Sequence, residues 1–134
     1  MNTTTEKKKV ILLVEDERDL VELYSELLKD SDYNVEVAYD GSTALQKVLS
    51  ESWDLLLLDI MLPEKDGLTI LEEIKKAANA KRGPIILLTN LNNEDLIKRA
   101  FSLGADGYLI KSEISLDDVV NEVKTRLAKN EQQK

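Results

Sequence analysis

The chain contains no cysteine and no histidine. The first absence excludes disulfides, thiolate metal sites and a cysteine nucleophile. The second removes histidine general bases, the usual zinc ligands and any phosphohistidine on this chain. No apolar run approaches the ~20 residues needed to span a bilayer. The basic residues near the N-terminus precede no long apolar core, so the segment does not read as a signal peptide and a cytoplasmic location is expected. Positive charge is in deficit, with 18 Lys and Arg against 26 Asp and Glu and a net charge of -8. That balance argues against a nucleic-acid-binding surface on this domain and suits a site that holds a divalent cation. The 134 residues, 43% hydrophobic and 33% charged, suffice for one soluble domain with a real core and not comfortably two. Repeats, low-complexity tracts and an interdomain linker are absent.

The stretch around which the chain is organised is Asp54-Leu55-Leu56-Leu57-Leu58-Asp59-Ile60-Met61-Leu62-Pro63. Four consecutive leucines leave no polar face, so the segment reads as a strand buried on both sides, as in a parallel sheet. The run stops on Asp59, and Pro63 keeps the exit in a loop. Open parallel sheets carry their ligands at the carboxyl ends of the strands. Asp59 is therefore a candidate reactive group, set against the plainer reading of an aspartate that starts a turn.

Val10-Ile11-Leu12-Leu13-Val14 is a second continuous apolar run, and it too ends in acid, at Glu15-Asp16-Glu17. A helix should follow, since Leu20, Leu23, Tyr24, Leu27 and Leu28 recur at helical spacing. N-capping accounts for one acid of the triplet, Asp16 or Glu17, but not for the cluster. Residues 35–39 alternate and predict a short edge strand, and Asp40-Gly41-Ser42 opens a helix carrying Ala44, Leu45, Val48 and Leu49. Trp53 reads as packing. A helix is expected over residues 68–78, with Leu68, Leu71 and Ile74 inward. Pro84 then opens the strand Ile85-Ile86-Leu87-Leu88, which ends at Thr89-Asn90. Asn93 should cap the next helix and Gly104 should stop it. Tyr108-Leu109-Ile110 is a fifth strand with Lys111 at its end. Ser115, with Asp118 in capping-box spacing, should start the last helix. Strand and helix alternate five times, which predicts a doubly wound parallel sheet with helices on both faces. The expected organisation is a flexible leader over residues 1–9, a domain over 10–127 and a frayed tail over 128–134.

In such a sheet Glu15, Asp16, Asp59, Thr89 and Lys111 converge on one rim. Clustered carboxylates repel and raise one another's pKa unless a cation neutralises them. With hard oxygen donors and no histidine or cysteine, the site suits Mg²⁺, which takes one or two carboxylates and fills its shell with water and phosphate oxygens. A carboxylate beside Mg²⁺, a lysine and a hydroxyl makes a sensible phosphoryl acceptor. On the residues alone, Lys111 as a solvated strand end and Tyr108 as an edge aromatic remain the plainer readings.

Across residues 9–127 the chain resembles the receiver domain of two-component response regulators. The matching pieces are Val14-Glu15-Asp16-Glu17, Leu58-Asp59-Ile60-Met61-Leu62-Pro63 with Asp66-Gly67, Thr89, and Gly104-Ala105-Asp106-Gly107-Tyr108-Leu109-Ile110-Lys111. Each is weak alone; the order, with 30 residues from Asp59 to Thr89 and 22 from Thr89 to Lys111, makes the set specific. The resemblance implies a (βα)5 flavodoxin-like domain of strand order 2-1-3-4-5. It implies that Asp59 is the phospho-acceptor. Asp16, Asp59 and the backbone carbonyl of Met61 would ligate Mg²⁺, with Mn²⁺ able to substitute, and Glu15 would act through water. Lys111 would pair with Asp59 and then with the phosphoryl group. Thr89 would donate to a phosphoryl oxygen, and Tyr108 would change rotamer as Thr89 moves. Asn90, Leu91 and Met61 are the neighbours expected to tune rates.

The implied donor is a phosphohistidine on a sensor histidine kinase or a histidine phosphotransfer protein. The output would be a protein partner contacted through the fourth helix, fifth strand and fifth helix, from a monomer or a weak phosphorylation-dependent dimer. The chain would not be a free-standing enzyme. A stand-alone receiver is preferred over an excised domain, because only about seven residues follow the expected last helix. Two positions depart from the family pattern. Ser112 follows Lys111, where the family usually has proline, often cis. Either that bond is trans and the loop differs, or the site is strained, since a non-proline cis bond costs about 2.5–4 kcal/mol; trans is favoured. Asn90 stands where a small residue is usual, and could crowd the Thr89 donor or hold a water. Three other readings compete: a receiver-like binding module that works without phosphorylation, an aspartyl-phosphate phosphohydrolase, and a flavin-binding domain. Met61 in place of a second aspartate weakens the phosphohydrolase, and the lack of a glycine- and hydroxyl-rich first turn weakens the flavin reading.

Overall fold

The computed structural model describes residues 8–77 and 80–132. Strands β1 (Val10–Val14), β2 (Asn34–Ala38), β3 (Leu55–Leu58), β4 (Ile85–Thr89) and β5 (Gly107–Ile110) alternate with helices α1 (Arg18–Asp30), α2 (Gly41–Ser50), α3 (Gly67–Lys76), α4 (Glu94–Ser102) and α5 (Leu116–Gln132). All four strand pairings are parallel, and the order is β2-β1-β3-β4-β5. This is the doubly wound sheet that the apolar runs predict. The three runs without a polar face, β1, β3 and β4, occupy the middle, and the two less apolar strands take the edges.

Alternate side chains of the central strands feed two separate cores. Leu12, Val14, Leu56, Leu58, Ile85 and Leu87 pack with Ala44 and Val48 of α2, Ile70 and Leu71 of α3, and Ala100 of α4. Ile11, Leu13, Leu55, Leu57, Ile86 and Leu88 pack with Val21, Tyr24 and Leu28 of α1 and with Val119, Val123 and Leu127 of α5. The four leucines of β3 therefore divide evenly between the layers. Burying each contributes about 1.5–3 kcal/mol, so β3 anchors both halves of the domain.

Side-chain caps set where the elements begin. Asp40, Asp66 and Asn93 accept the N–H groups of Thr43, Thr69 and Leu96 at the starts of α2, α3 and α4. Ser115 Oγ accepts the N–H of Asp118 at the start of α5. Asp54 and Asp106 do the same for strands, accepting the N–H groups of Val10 and Ile85 at 2.7 and 2.8 Å. Gly104 ends α4 with φ 107°, a conformation that suits glycine. Trp53 is buried, and its indole N–H donates to the Val48 carbonyl.

Some boundaries differ from expectation. Helix α1 has Glu17 at its cap position, but neither Asp16 nor Glu17 supplies a side-chain cap bond. The Glu17 N–H is instead taken by the Glu15 carboxylate at 3.0 Å. Strand β2 starts one residue earlier than expected and ends at Ala38, before Tyr39. Helix α3 starts at Gly67 and ends at Lys76; its expected end at residue 78 lies outside the described residues, as does most of the expected leader. Helix α5 continues to Gln132 through the stretch expected to fray. No cis peptide bond occurs among the described residues, so Lys111–Ser112 is trans.

The loop after β3 returns over its own strand. The N–H of Gly67 donates to the Ile60 carbonyl at 2.8 Å. A Cβ at position 67 would lie 2.5 Å from the Asp59 carbonyl oxygen and 2.8 Å from Ile60 Cα, so only glycine permits the approach. Gly67→Ala should therefore destabilise the domain by roughly 1–3 kcal/mol through forced backbone displacement. A urea melt compared with the neutral surface change Lys76→Ala checks this.

Candidate functional site

The register brings the strand ends to one rim. Val14 pairs with Leu58, Leu58 with Leu87, and Thr89 with Ile110. Glu15, Asp59 and Lys111 each follow the last residue of a strand, and Thr89 is the last residue of β4. The ladder continues far enough to fix the acids: Asp59 N–H donates to Val14 O at 3.0 Å, and Glu15 N–H to Ala38 O at 3.1 Å.

The side chains meet around one ammonium group. Lys111 Nζ lies 2.8 Å from Asp59 Oδ2 and 2.5 Å from Glu15 Oε1. The second oxygen of each acid accepts a backbone N–H, that of Met61 for Asp59 at 3.2 Å and that of Glu17 for Glu15. Glu15, Asp59 and Thr89 are 1%, 5% and 1% exposed, whereas Asp16 stands in solvent. Burial pushes the Glu15 carboxyl up, against the opposing pull of Lys111 and the Glu17 N–H. Burial alone would lower the Lys111 ammonium, but its hydrogen bonds to Asp59 and Glu15 and their charges raise it. Lys111 is therefore held as a cation.

One lysine does not balance three acids. Glu15, Asp16 and Asp59 can each bring a carboxylate oxygen within 4.8 Å of the others. That donor set is all hard oxygen, partly buried and short of positive charge, which fits Mg²⁺ or Mn²⁺. The cluster opens into a groove of about 630 Å³ that Met61, Asp66, Thr89, Asn90 and Leu91 also line. Met61 is 62% exposed at its rim.

A second set of contacts lies beside the acids. Thr89 Oγ1 accepts a long hydrogen bond from the Leu91 N–H at 3.4 Å. The Leu91 carbonyl accepts the Tyr108 hydroxyl at 2.7 Å. Burial, then the Asp59 charge, raises the Tyr108 phenol. Asn90 Oδ1 accepts the Ser112 N–H at 2.9 Å, so its amide oxygen is engaged with the loop after β5. Every residue singled out in the sequence is thus on or beside this rim. Two were missed. The role of Ser112 rests on a backbone N–H, and the missing proline was its only trace. Tyr24 read as part of an apolar stripe, yet its phenol, raised chiefly by burial, also senses Lys111, Glu15 and Asp59.

A parallel sheet of this order, with an acid cluster and one lysine across its carboxyl rim, defines a class of small α/β signalling domain. The chain belongs to the response regulator receiver domain family, whose model matches residues 11–124. It is 36% identical over 116 residues to the transcriptional regulatory protein DltR of Streptococcus agalactiae, covering 87% of this chain and 50% of that protein. It is 44% identical over 101 residues to the transcriptional regulatory protein CpxR of Escherichia coli, covering 75% and 42% respectively. The chain thus spans about half the length of the curated relatives it matches. Among solved structures, a CheY-like receiver domain protein from Methanospirillum hungatei superposes with TM-score 0.87 at 26% identity, covering 96% of this chain and all of that one. The BeF3-activated receiver domain of Klebsiella pneumoniae RstA superposes with TM-score 0.79 at 31% identity, covering 89% of this chain and 98% of that one. No helix among the described residues is long and apolar enough to cross a membrane.

Replacing Lys111 with methionine leaves Glu15 and Asp59 facing one another without a cation. The variant should lose on the order of 3 kcal/mol at neutral pH, read as a lower urea midpoint. Added Mg²⁺ should recover part of the loss, more than it adds to the wild type. An unchanged midpoint would show that Lys111 does not offset the burial of these acids.

Proposed function

We propose that this chain is a phospho-accepting receiver that takes a phosphoryl group on Asp59 from a phosphohistidine of a sensor histidine kinase or a histidine phosphotransfer protein. The observation that carries the reading is the position of the Asp59 carboxylate. It is buried to 5% exposure, held through one oxygen by Lys111, and faces an open groove. In the transfer a carboxylate oxygen of Asp59 forms a bond to phosphorus while the N–P bond of the donor breaks, and the imidazole leaves with the bonding pair. Lys111 Nζ, already at the carboxylate, balances charge on the incoming phosphoryl oxygens. Asp16, Asp59 and the Met61 carbonyl, with Glu15 through water, would hold Mg²⁺, which when bound offsets further negative charge on the phosphoryl group. Asn90, Leu91 and Met61 line the groove beside Asp59 and tune the rates of phosphorylation and dephosphorylation.

The signal follows from Thr89. Its hydroxyl accepts a long bond from the Leu91 N–H, and a phosphoryl oxygen at Asp59 offers its own O–H an acceptor that draws the side chain towards the acids. Leu91 also carries the Tyr108 bond, so a shift of Thr89 is felt at Tyr108 and along α4, β5 and α5. The added charge of roughly two thereby biases a loop with two arrangements, and that face controls binding of a downstream protein. The chain assists its own phosphorylation and dephosphorylation and is not a free-standing enzyme. It works in the cytoplasm without direct contact to nucleic acid or membrane, as a monomer or a weak phosphorylation-dependent dimer.

Intact mass after incubation with acetyl phosphate or phosphoramidate tests the reading. The wild type should gain one phosphoryl group when Mg²⁺ is present, and Asp59→Asn should gain none. No adduct, together with no stable beryllofluoride complex, would overturn it and leave a phosphorylation-independent interaction module. Thr89→Ala should still be phosphorylated, but the shift it transmits to the Tyr108 ring, read by NMR, should be lost.

A further inference from the structure

The ammonium that joins the two buried acids is carried by an exposed turn. Lys111 opens a single 3₁₀ turn, Lys111–Glu113, directly after β5. The last strand pairing before it is Thr89 with Ile110, so the sheet guides the backbone no further than residue 110. The first N–H groups of such a turn have no partner within it. At Ser112 that partner is the Asn90 side chain, at 2.9 Å. A weaker bond runs alongside, from Asn92 Nδ2 to Glu113 Oε2 at 3.3 Å. Residues 90, 91 and 92 are thus tied in turn to Ser112, Tyr108 and Glu113.

From this geometry we infer that Asn90 is a positioning residue for Lys111. Its side-chain oxygen fixes the Ser112 amide, and so sets the backbone from which Lys111 Nζ reaches Glu15 and Asp59. The two residues of the bond are also the two positions at which this chain departs from the family pattern. Neither works alone. A proline at 112 has no N–H to donate, and a small residue at 90 has no acceptor to offer. A proline would restrict the turn covalently, whereas here the restriction is a hydrogen bond across the rim. The effect of Asn90 on phosphoryl chemistry therefore runs through the backbone of Ser112. Asn90 does not act by crowding the phosphoryl group or by holding a water there. The catalytic consequence rests on the phospho-acceptor reading; the placement of Lys111 does not.

Two independent readouts test this. The first is a double-mutant cycle of Asn90→Ala and Ser112→Pro, scored by the initial rate of phosphorylation by phosphoramidate at saturating Mg²⁺. Loss of one neutral hydrogen bond predicts about a fivefold lower rate for Asn90→Ala in the Ser112 background. The same change should have no effect in the Ser112→Pro background. An equal loss in both backgrounds would mean that Asn90 meets the phosphoryl group directly, and would overturn the inference. The second readout needs neither phosphorylation nor the proline variant. In the unphosphorylated full chain, Asn90→Ala should remove the hydrogen-exchange protection of the Ser112 amide and broaden or shift the ¹⁵N signal of the Lys111 ammonium, while protection in β3 stays as in the wild type. An unchanged Lys111 signal would overturn the inference whatever the kinetics show. Should the wild type give neither a phosphoryl adduct nor a stable beryllofluoride complex, the functional reading fails and the NMR arm still decides the position of Lys111.

Discussion

Lys111 Nζ lies within hydrogen-bonding distance of two carboxylates that are almost wholly removed from water. Burying two like charges side by side is costly, and a single cation between them offsets much of that cost only when it is well placed. Much of the domain serves that placement. Strands β1 and β3 deliver Glu15 and Asp59 from the same end because they are parallel and in register. Strand β5 delivers Lys111 from two strands away. A shift of any of these strands by one residue would turn a charged side chain into one of the two cores. The sheet and the site are therefore specified together, and the negative charge still unbalanced leaves the rim receptive to a cation.

The fold was legible because its signal is long and redundant. Five strand segments, each followed by a helical stripe, allow few arrangements, and the unbroken apolar runs at β1, β3 and β4 mark which strands lie inside. The site was legible for a related reason, since residues that end parallel strands must share a rim. Boundaries were less so. Glu17 takes the cap position without a side-chain cap bond, and its own N–H is held by Glu15, whose carboxylate also pairs with Lys111. Local propensity could not show this, because the partner lies far along the chain. The continuation of α5 past Leu127 has a similar cause in miniature: Lys129 and its polar neighbours carry no apolar stripe, yet nothing in them breaks a helix.

The loops held what the sequence concealed. Asn90 stood out by its size beside Thr89, which invited a reading in terms of bulk near the acids. Its oxygen accepts from a backbone amide, that of Ser112, which only the fold brings near. Ser112 is conspicuous for not being proline, and unlike proline it has an N–H, which donates to Asn90. Hydrogen bonds from side chains to distant main-chain groups leave no periodicity and no motif. They are the features that a pattern-based reading misses, even where it finds every charged residue.

Leu91 joins Thr89 to Tyr108 with its N–H and its carbonyl, and its side chain takes no part in either bond. The connection is thus written in the number of residues between Thr89 and the start of α4, not in their identity. Relatives could vary freely at position 91 and still couple the hydroxyl to the phenol. A single insertion or deletion before Asn93 would uncouple them while leaving Thr89 and Tyr108 in place. In this part of the molecule, loop length carries the coupling.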